Sequence, residues 1–480
     1  MLKTPEEYKE SLKKMRANIY KFGELIKDVT THPATARTVE GHARIFAAQH
    51  EPEYKDIVTT TSHLTGERIS RYLSIIRSAE DMYANSRMKR LIFNLTGTCT
   101  GGRCAGWTSL NSMWVTTYEM DRDLGTDYHE RLKNWLLSAQ ERDITVAGAL
   151  TDPKGDRTKP PHQQEIPEMH LKIKEKNEDG IVVEGAKIQI CGVAAANEIF
   201  VLPGSSYKKE DSDWCVSFVV PRDINGLTII ETRHPSDMRE FEEGEDNPVK
   251  KGGITQAYLL FEDVFIPSER VFMAGEYKYT RTSIMNFILP YRSAIGACVA
   301  GQGDLMLGAS ALLARANGLN EKVFREKLIK MTINNETTFA VGIAAAALGR
   351  AHPSGAWVCH PLLANVNKVH VARLPYETKV LAQDIGGGIA ETGCMPSWVD
   401  LMNKEYGHLL KKYLKAGKGS AETRVKLARF IEWLTLGAGV PGCMHGGGSP
   451  DGAKLVINAT MGIEEKKELV KKILHIEDEL

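Results

Sequence analysis

Met169-His-Leu-Lys-Ile-Lys-Glu-Lys176, Asn177-Glu-Asp-Gly180 and Ile181-Val-Val-Glu-Gly-Ala-Lys-Ile-Gln-Ile190 form one continuous stretch. Its first part alternates, its second offers the Asn, Asp and Gly of a turn, and its third returns as another strand, so the stretch predicts a β-hairpin. Further strand candidates follow at 215–220, 227–231 and 256–261. On both sides the apolar period becomes helical. Upstream, Thr4 is placed to cap a helix starting at Pro5, with Glu6 and Glu7 in its first turn. Residues 54–95 carry apolar side chains at helical spacing, and the chain up to about residue 140 reads as helical. Downstream, 300–317, 321–350 and 421–436 are long apolar-periodic runs, punctuated by Gly386-Gly-Gly388 and Gly446-Gly-Gly448. The expectation is an α+β protein: an N-terminal helical domain over 1–142, a central β domain over 143–278 and a C-terminal helical bundle over 279–480.

Composition narrows the function. With 480 residues, 42% of them hydrophobic, the chain can bury a large core. Lys+Arg and Asp+Glu balance at 61 each, which gives no basic surface for nucleic acid and no polybasic segment for anionic lipid. A small-molecule partner is expected. Residues 1–10 lack the apolar core of a signal peptide and no uninterrupted apolar run reaches membrane-spanning length, so the reading is no membrane and a cytoplasmic location. Eight cysteines are too sparse for a disulfide scaffold; in a reducing compartment they are free, metal-bound or catalytic.

Two motifs carry chemistry. In Leu150-Thr-Asp-Pro-Lys-Gly-Asp-Arg157, Pro153 and Gly155 set a turn, while Thr151 and the backbone around Gly155 offer hydrogen-bond groups to a flat heterocycle. Asp156 and Arg157 are placed to pair and hold it; the plain alternative is an ordinary Asp-Pro/Gly turn. Cys99-Thr-Gly-Gly-Arg-Cys104 has a C-x4-C spacing also found in iron–sulfur ligation, with glycines that let backbone wrap a compact cluster. Its plain alternative is a pair of small buried fillers. Cys298 is the natural third ligand.

The octapeptide resembles the flavin-binding turn of acyl-CoA dehydrogenase-type enzymes, and the order helices, β zone, helices is theirs too. Gly185-Ala-Lys187 with Cys191-Gly192 falls where such enzymes bring a second strand against the flavin ring. Gln383-Asp-Ile-Gly-Gly-Gly388, which includes Gly386 and Gly387, resembles the segment that reaches the flavin pyrophosphate from a neighbouring subunit. More specifically, 99–119, 148–157, Asp263-Val-Phe-Ile-Pro267, Met331-Thr-Ile-Asn-Asn-Glu-Thr337 and Met444-His-Gly-Gly-Gly-Ser-Pro450 are similar to the family of 4-hydroxybutyryl-CoA dehydratase and 4-hydroxyphenylacetate 3-hydroxylase. That resemblance covers nearly the whole chain.

It implies a homotetramer with FAD bound by Thr151, Asp152, Asp156, Arg157, Cys191, Gln383, Gly386, Gly387, His445 and Gly446. In the dehydratase branch it also implies a [4Fe-4S] cluster, with Cys99, Cys104 and Cys298 on the thiolate positions, and an acyl-CoA substrate for radical dehydration or double-bond isomerisation. The family pattern is broken at several positions. The Cys99 to Cys104 spacing is one residue longer, and Tyr291 stands at the histidine ligand position. Ile295 stands for a tyrosine, Gln256 and Gly442 for two glutamates, and Cys191 for a threonine. Dehydrating a 4-hydroxyacyl thioester removes a proton that no carbonyl directly acidifies, so the lost acid–base groups need replacements. The candidates are Tyr291, Cys191, His445 and Cys443, each of which also has a packing role open to it. In the hydroxylase branch an arginine and an aromatic four residues later hold a phenol. Arg103 and Trp107 match that spacing and keep an FAD-dependent aromatic hydroxylase as the alternative, alongside a homologue with altered catalysis.

Overall fold

Asn177 closes the hairpin that the sequence predicts: its side chain accepts from the amides of Asp179 and Gly180 (3.0 and 3.1 Å), and its own amide donates to the Gly180 carbonyl (3.0 Å). The computed structural model describes residues 2–99, 102–233, 242–249, 253, 255–436 and 444–478. In chain order the first part comprises α1 (Pro5–Lys13), β1 (Ile19–Lys21), β2 (Glu24–Ile26), α2 (Pro33–Ala48), α3 (Lys55–Val58), β3 (Thr59–Thr61), β4 (Arg68–Ser70), α4 (Ala79–Thr96), α5 (Arg103–Leu124) and α6 (Tyr128–Arg142). Then follow β5 (Val146–Ala149), β6 (Lys172–Lys176), β7 (Gly180–Cys191), β8 (Glu198–Val201), β9 (Val216–Pro221), β10 (Leu227–Glu231), β11 (Gln256–Pro267) and β12 (Val271–Ala274). The last part starts with α7 (Thr280–Ala316), α8 (Arg325–Ala347), α9 (Pro361–Val371) and α10 (Leu374–Gly386).

Thr4 caps α1 in a full capping box with Glu7, as its sequence predicts. The N-terminal part departs from an all-helical reading. The stretch 54–95 holds one helix of length, α4, preceded by the β3–β4 ribbon, and β1 pairs in parallel with β10, joining the central sheet. Three-residue strands are too short to impose a period on the sequence, and their partners lie far along the chain.

The middle of the chain forms two sheets. One has the order β2-β1-β10-β11-β7-β6 and the other β12-β9-β8-β5. The strands expected at 215–220, 227–231 and 256–261 are β9, β10 and the first half of β11, while β5, β8 and β12 escaped notice. β5 and β8 are four residues long and buried throughout, so they show no alternation to read.

Two contacts position the site. Gly106 of α5 and Gly148 of β5 meet backbone to backbone: a Cβ on Gly106 would lie 2.2 Å from the Val146 carbonyl oxygen, and one on Gly148 would lie 2.5 Å from the Ala105 carbonyl carbon. This locks the start of α5, with Cys104, beside the strand that leads into the octapeptide. The other is α7, which packs on α4, α5, α8 and α9. It is long and apolar enough to cross a membrane by composition, but 61% of its most apolar window is buried, as in the central helix of a bundle. Pro290 within it cannot donate to the carbonyl four residues back, which loosens the helix one residue before Tyr291.

Candidate functional site

Four segments distant in sequence converge. The start of α5, which carries Cys104, is entered through Gly102, whose φ of +50° and closeness to β7 exclude a side chain; a Cβ there would stand 2.9 Å from the Cys191 carbonyl oxygen. The end of β7 supplies Cys191. α7 supplies Tyr291 and Cys298. The fourth segment, 444–448, is pressed onto α7: Arg292 Nε donates to the Gly447 carbonyl (2.9 Å), Lys368 Nζ donates to the carbonyls of Met444 and Gly446 (2.9 and 2.6 Å), and a Cβ on Gly447 would be 2.6 Å from the Tyr291 ring.

Tyr291 stands at the centre of this convergence. Burial drives its phenol far above the ordinary tyrosine range, and the thiols of Cys104, Cys191, Cys99 and Cys298 would each add to that if ionised. Tyr72, from the turn after β4, faces the same group; burial raises its phenol, Cys104, Cys298 and Cys99 raise it further, and Arg103 opposes them. Sequence reading missed Tyr72 because nothing in its local pattern marks it. Burial pushes the Cys191 thiol up to about 11, against a hydrogen bond from Gln256 Nε2 (3.5 Å). All seven described cysteines are outside disulfides; Cys443, like Gly442, lies outside the described residues. Among the described residues no three His, Cys, Asp or Glu side chains gather closely enough to hold a single metal ion. A four-iron cluster asks for something different, since each thiolate binds its own iron. Three soft thiols near one phenol are the donor chemistry that such a cluster would take from Cys99, Cys104 and Cys298.

The octapeptide leaves β5 and lies alongside β7, with the Ile188 amide donating to the Thr151 carbonyl (2.8 Å). Asp152 faces inward, paired with Lys187 (2.6 Å) and accepting from Tyr207 (2.9 Å), so it braces the turn from below. Gly155 has φ +50°, and a Cβ there would strike the Gln164 side chain at 2.4 Å. Asp156 and Arg157 do not pair as expected. The Asp156 carboxylate accepts from the Thr158 amide and hydroxyl (2.9 and 2.7 Å) and lies 3.7 Å from Lys159, because the turn folds back over its own next residues. Arg157 is exposed. The Thr151 hydroxyl has no partner among the described residues. At the end of α10, Gln383 donates to Thr435 (3.2 Å), and among the described residues no neighbouring atom lies within 4 Å of where a Cβ would stand on Gly387 or Gly388. That open turn, the Thr151 hydroxyl and the glycine-bent octapeptide fit a flavin. His445 is exposed beside Gly446.

Arg103 sits against Tyr72. It is 1% exposed, clamped between the rings of Phe46 and Tyr72 (4.7 and 4.9 Å), and donates to Ser70 (3.2 Å). Trp107 gives its indole N–H to the Ser74 carbonyl (3.1 Å). The Trp107 indole N–H is thus used within the N-terminal part, whereas Arg103 Nε and Nη1 are buried with no hydrogen-bond partner among the described residues.

Fold and site together define a two-sheet, helix-flanked enzyme with a thiol-rich centre. The model of the 4-hydroxyphenylacetate 3-hydroxylase N-terminal part matches residues 4–273, and that of its C-terminal part matches 281–475. The 4-hydroxybutyryl-CoA dehydratase/vinylacetyl-CoA-Δ-isomerase of Clostridium aminobutyricum is 38% identical over 99% of this chain and 100% of its own length. The solved oxygen-tolerant archaeal 4-hydroxybutyryl-CoA dehydratase of N. maritimus superposes with a TM-score of 0.96 at 36% identity, covering 100% of this chain and 96% of that one. The oxygenase component of 4-hydroxyphenylacetate 3-monooxygenase, solved with FAD, shares the fold at a TM-score of 0.86 and 21% identity, with 98% of each chain covered. The chain therefore belongs to the 4-hydroxybutyryl-CoA dehydratase and 4-hydroxyphenylacetate 3-hydroxylase family. Within it, this is an enzyme of the dehydratase type, a lyase/isomerase.

Proposed function

We propose that this chain is a FAD- and [4Fe-4S]-dependent enzyme of acyl-CoA dehydrogenase-like architecture that dehydrates a 4-hydroxyacyl-CoA or shifts the double bond of an enoyl-CoA. The observation that carries the reading is the convergence of Cys99, Cys104 and Cys298 on Tyr291, in a chain similar over its full length to a dehydratase/isomerase. Cys99, Cys104 and Cys298 would hold the cluster. Thr151 and the 153–157 turn would hold the flavin, with Asp152 as their brace, Cys191 beside the ring, and Gln383, Gly386, Gly387, His445 and Gly446 toward the rest of the cofactor. When bound, the flavin supplies an electron sink and the iron a Lewis acid toward the leaving hydroxyl.

The chain's own groups do the rest. Because burial keeps the Tyr291 phenol protonated at neutral pH, its hydroxyl would donate a proton to the departing oxygen. Cys191 likewise stays a thiol, a hydrogen-bonding neighbour more than a nucleophile. The 444–448 segment, packed on Tyr291 and Arg292, excludes water from that side.

A homotetramer completes the proposal. Among the described residues nothing fills the open Gly387–Gly388 turn, and the helix Ile463–Leu474 buries none of its residues while exposing Leu469, Val470, Ile473 and Leu474. Reduced thiols suit a cytoplasmic enzyme. The direct test is incubation of anaerobically purified protein with 4-hydroxybutyryl-CoA and with vinylacetyl-CoA. Formation of the conjugated 2-enoyl thioester from either supports the reading. No product from either, with phenol hydroxylation when a flavin reductase is added, replaces it with the hydroxylase alternative.

A further inference from the structure

Lys89 of α4 is 3% exposed, yet its ammonium meets no carboxylate and no carbonyl among the described residues. It is held over two ring faces instead: Trp107 at 5.1 Å and Tyr291 at 5.7 Å. Trp107 is three residues after Cys104 on α5, and Tyr291 is the phenol on which the cysteines converge. A buried cation is costly unless an anion or good acceptors face it, and two aromatic quadrupoles compensate only in part. Nearby Arg90 shows what a purely structural cation on this helix looks like, with Asp304 and Glu336 both in contact. Lys89 has the opposite arrangement: its position is fixed by the rings and its hydrogen-bond donors are unused.

We infer that Lys89 is the anion-recognising residue of the active site, and that its ammonium binds the oxygen of the acyl-CoA thioester on which negative charge collects when a C2 proton is lost. This rests on the acyl-CoA reading proposed above. In that ionisation the C2–H bond breaks and its electron pair forms the C1–C2 double bond. The carbonyl π pair moves to oxygen, and the proton leaves to water. A cation fixed before the reaction stabilises the enolate oxygen more than the neutral carbonyl.

The test uses acetoacetyl-CoA, whose acidic C2 proton lets the bound thioester ionise without turnover. The enolate is followed in the near ultraviolet on the flavin-loaded protein as pH is raised. For Lys89→Met the inference predicts an unchanged or higher melting temperature, because an unpaired buried charge has gone. It also predicts an apparent pKa of the bound thioester raised by at least one unit, or about tenfold less enolate at fixed pH, with Lys89→Arg close to wild type. If instead Lys89 is only a brace for the two rings, Lys89→Met melts lower or does not fold and any folded Lys89→Gln protein ionises the ligand like wild type; either result overturns the inference. Failure of the wild-type protein to bind any acyl-CoA thioester would mark a failure of the substrate reading itself.

Discussion

Tyr291 and Cys298 lie seven residues apart on α7, two helical turns, so their side chains leave the same face, the one near Cys99 and Cys104 at the start of α5. On the proposed reading the phenol would stand where the resemblance puts an imidazole and, held in its protonated form by burial, would give a proton where an imidazole would give an electron pair.

Tyr291→Phe is therefore expected to keep iron and FAD while turnover falls at least ~100-fold, the usual weight of a positioned proton donor. Iron and flavin analysis beside the initial rate checks this. Parallel loss of iron and rate would show instead that the phenol oxygen is a ligand.

Replacing Cys99, Cys104 or Cys298 singly by serine should lower the iron content of anaerobically prepared protein while leaving the circular dichroism spectrum intact. Full iron retention in all three would exclude them as ligands. Cys394→Ser is the control, since that exposed thiol lies outside the convergence.

The sequence made much of this legible, for physical reasons that differ by element. The 169–190 hairpin announced itself by alternation and an Asn-x-Asp-Gly turn, and α1 by its capping box. Cys99 and Cys104 stood out by their spacing and Cys298 as the natural third thiol, but what brings them together depends on α5 meeting β5 at Gly106 and Gly148, a contact no local pattern encodes. Lys89 and Tyr72 were invisible for the same reason. Asp156 and Arg157 looked like a pair because they are adjacent, but the turn hands the carboxylate to Thr158 instead.

The brace beneath the octapeptide is a buried ion pair, Lys187 with Asp152, and Lys187 is 1% exposed. Lys187→Met strands the carboxylate and should destabilise by about 3–5 kcal/mol in chemical denaturation. Lys187→Met with Asp152→Asn should recover much of that loss. Equal destabilisation of single and double variants would show that the pairing itself contributes little.

His42 is fully buried, and burial lowers its pKa from 6.5 to about 3. Between those values the unfolded chain binds a proton that the folded chain refuses, so this group makes stability rise with pH below about 6.5, by up to about 1.4 kcal/mol per unit. Unfolding free energy measured from pH 4.5 to 7 should show a shallower slope in His42→Gln. An unchanged slope would assign the acid sensitivity to other groups.

The measurement that bears most directly on the account is iron and flavin content per chain in protein purified without air. The account predicts about four irons and one FAD, with a broad visible absorption beneath the flavin bands. A full complement of flavin with no iron would contradict it, and would leave the thiols around Tyr291 as packing in an enzyme of the hydroxylase kind.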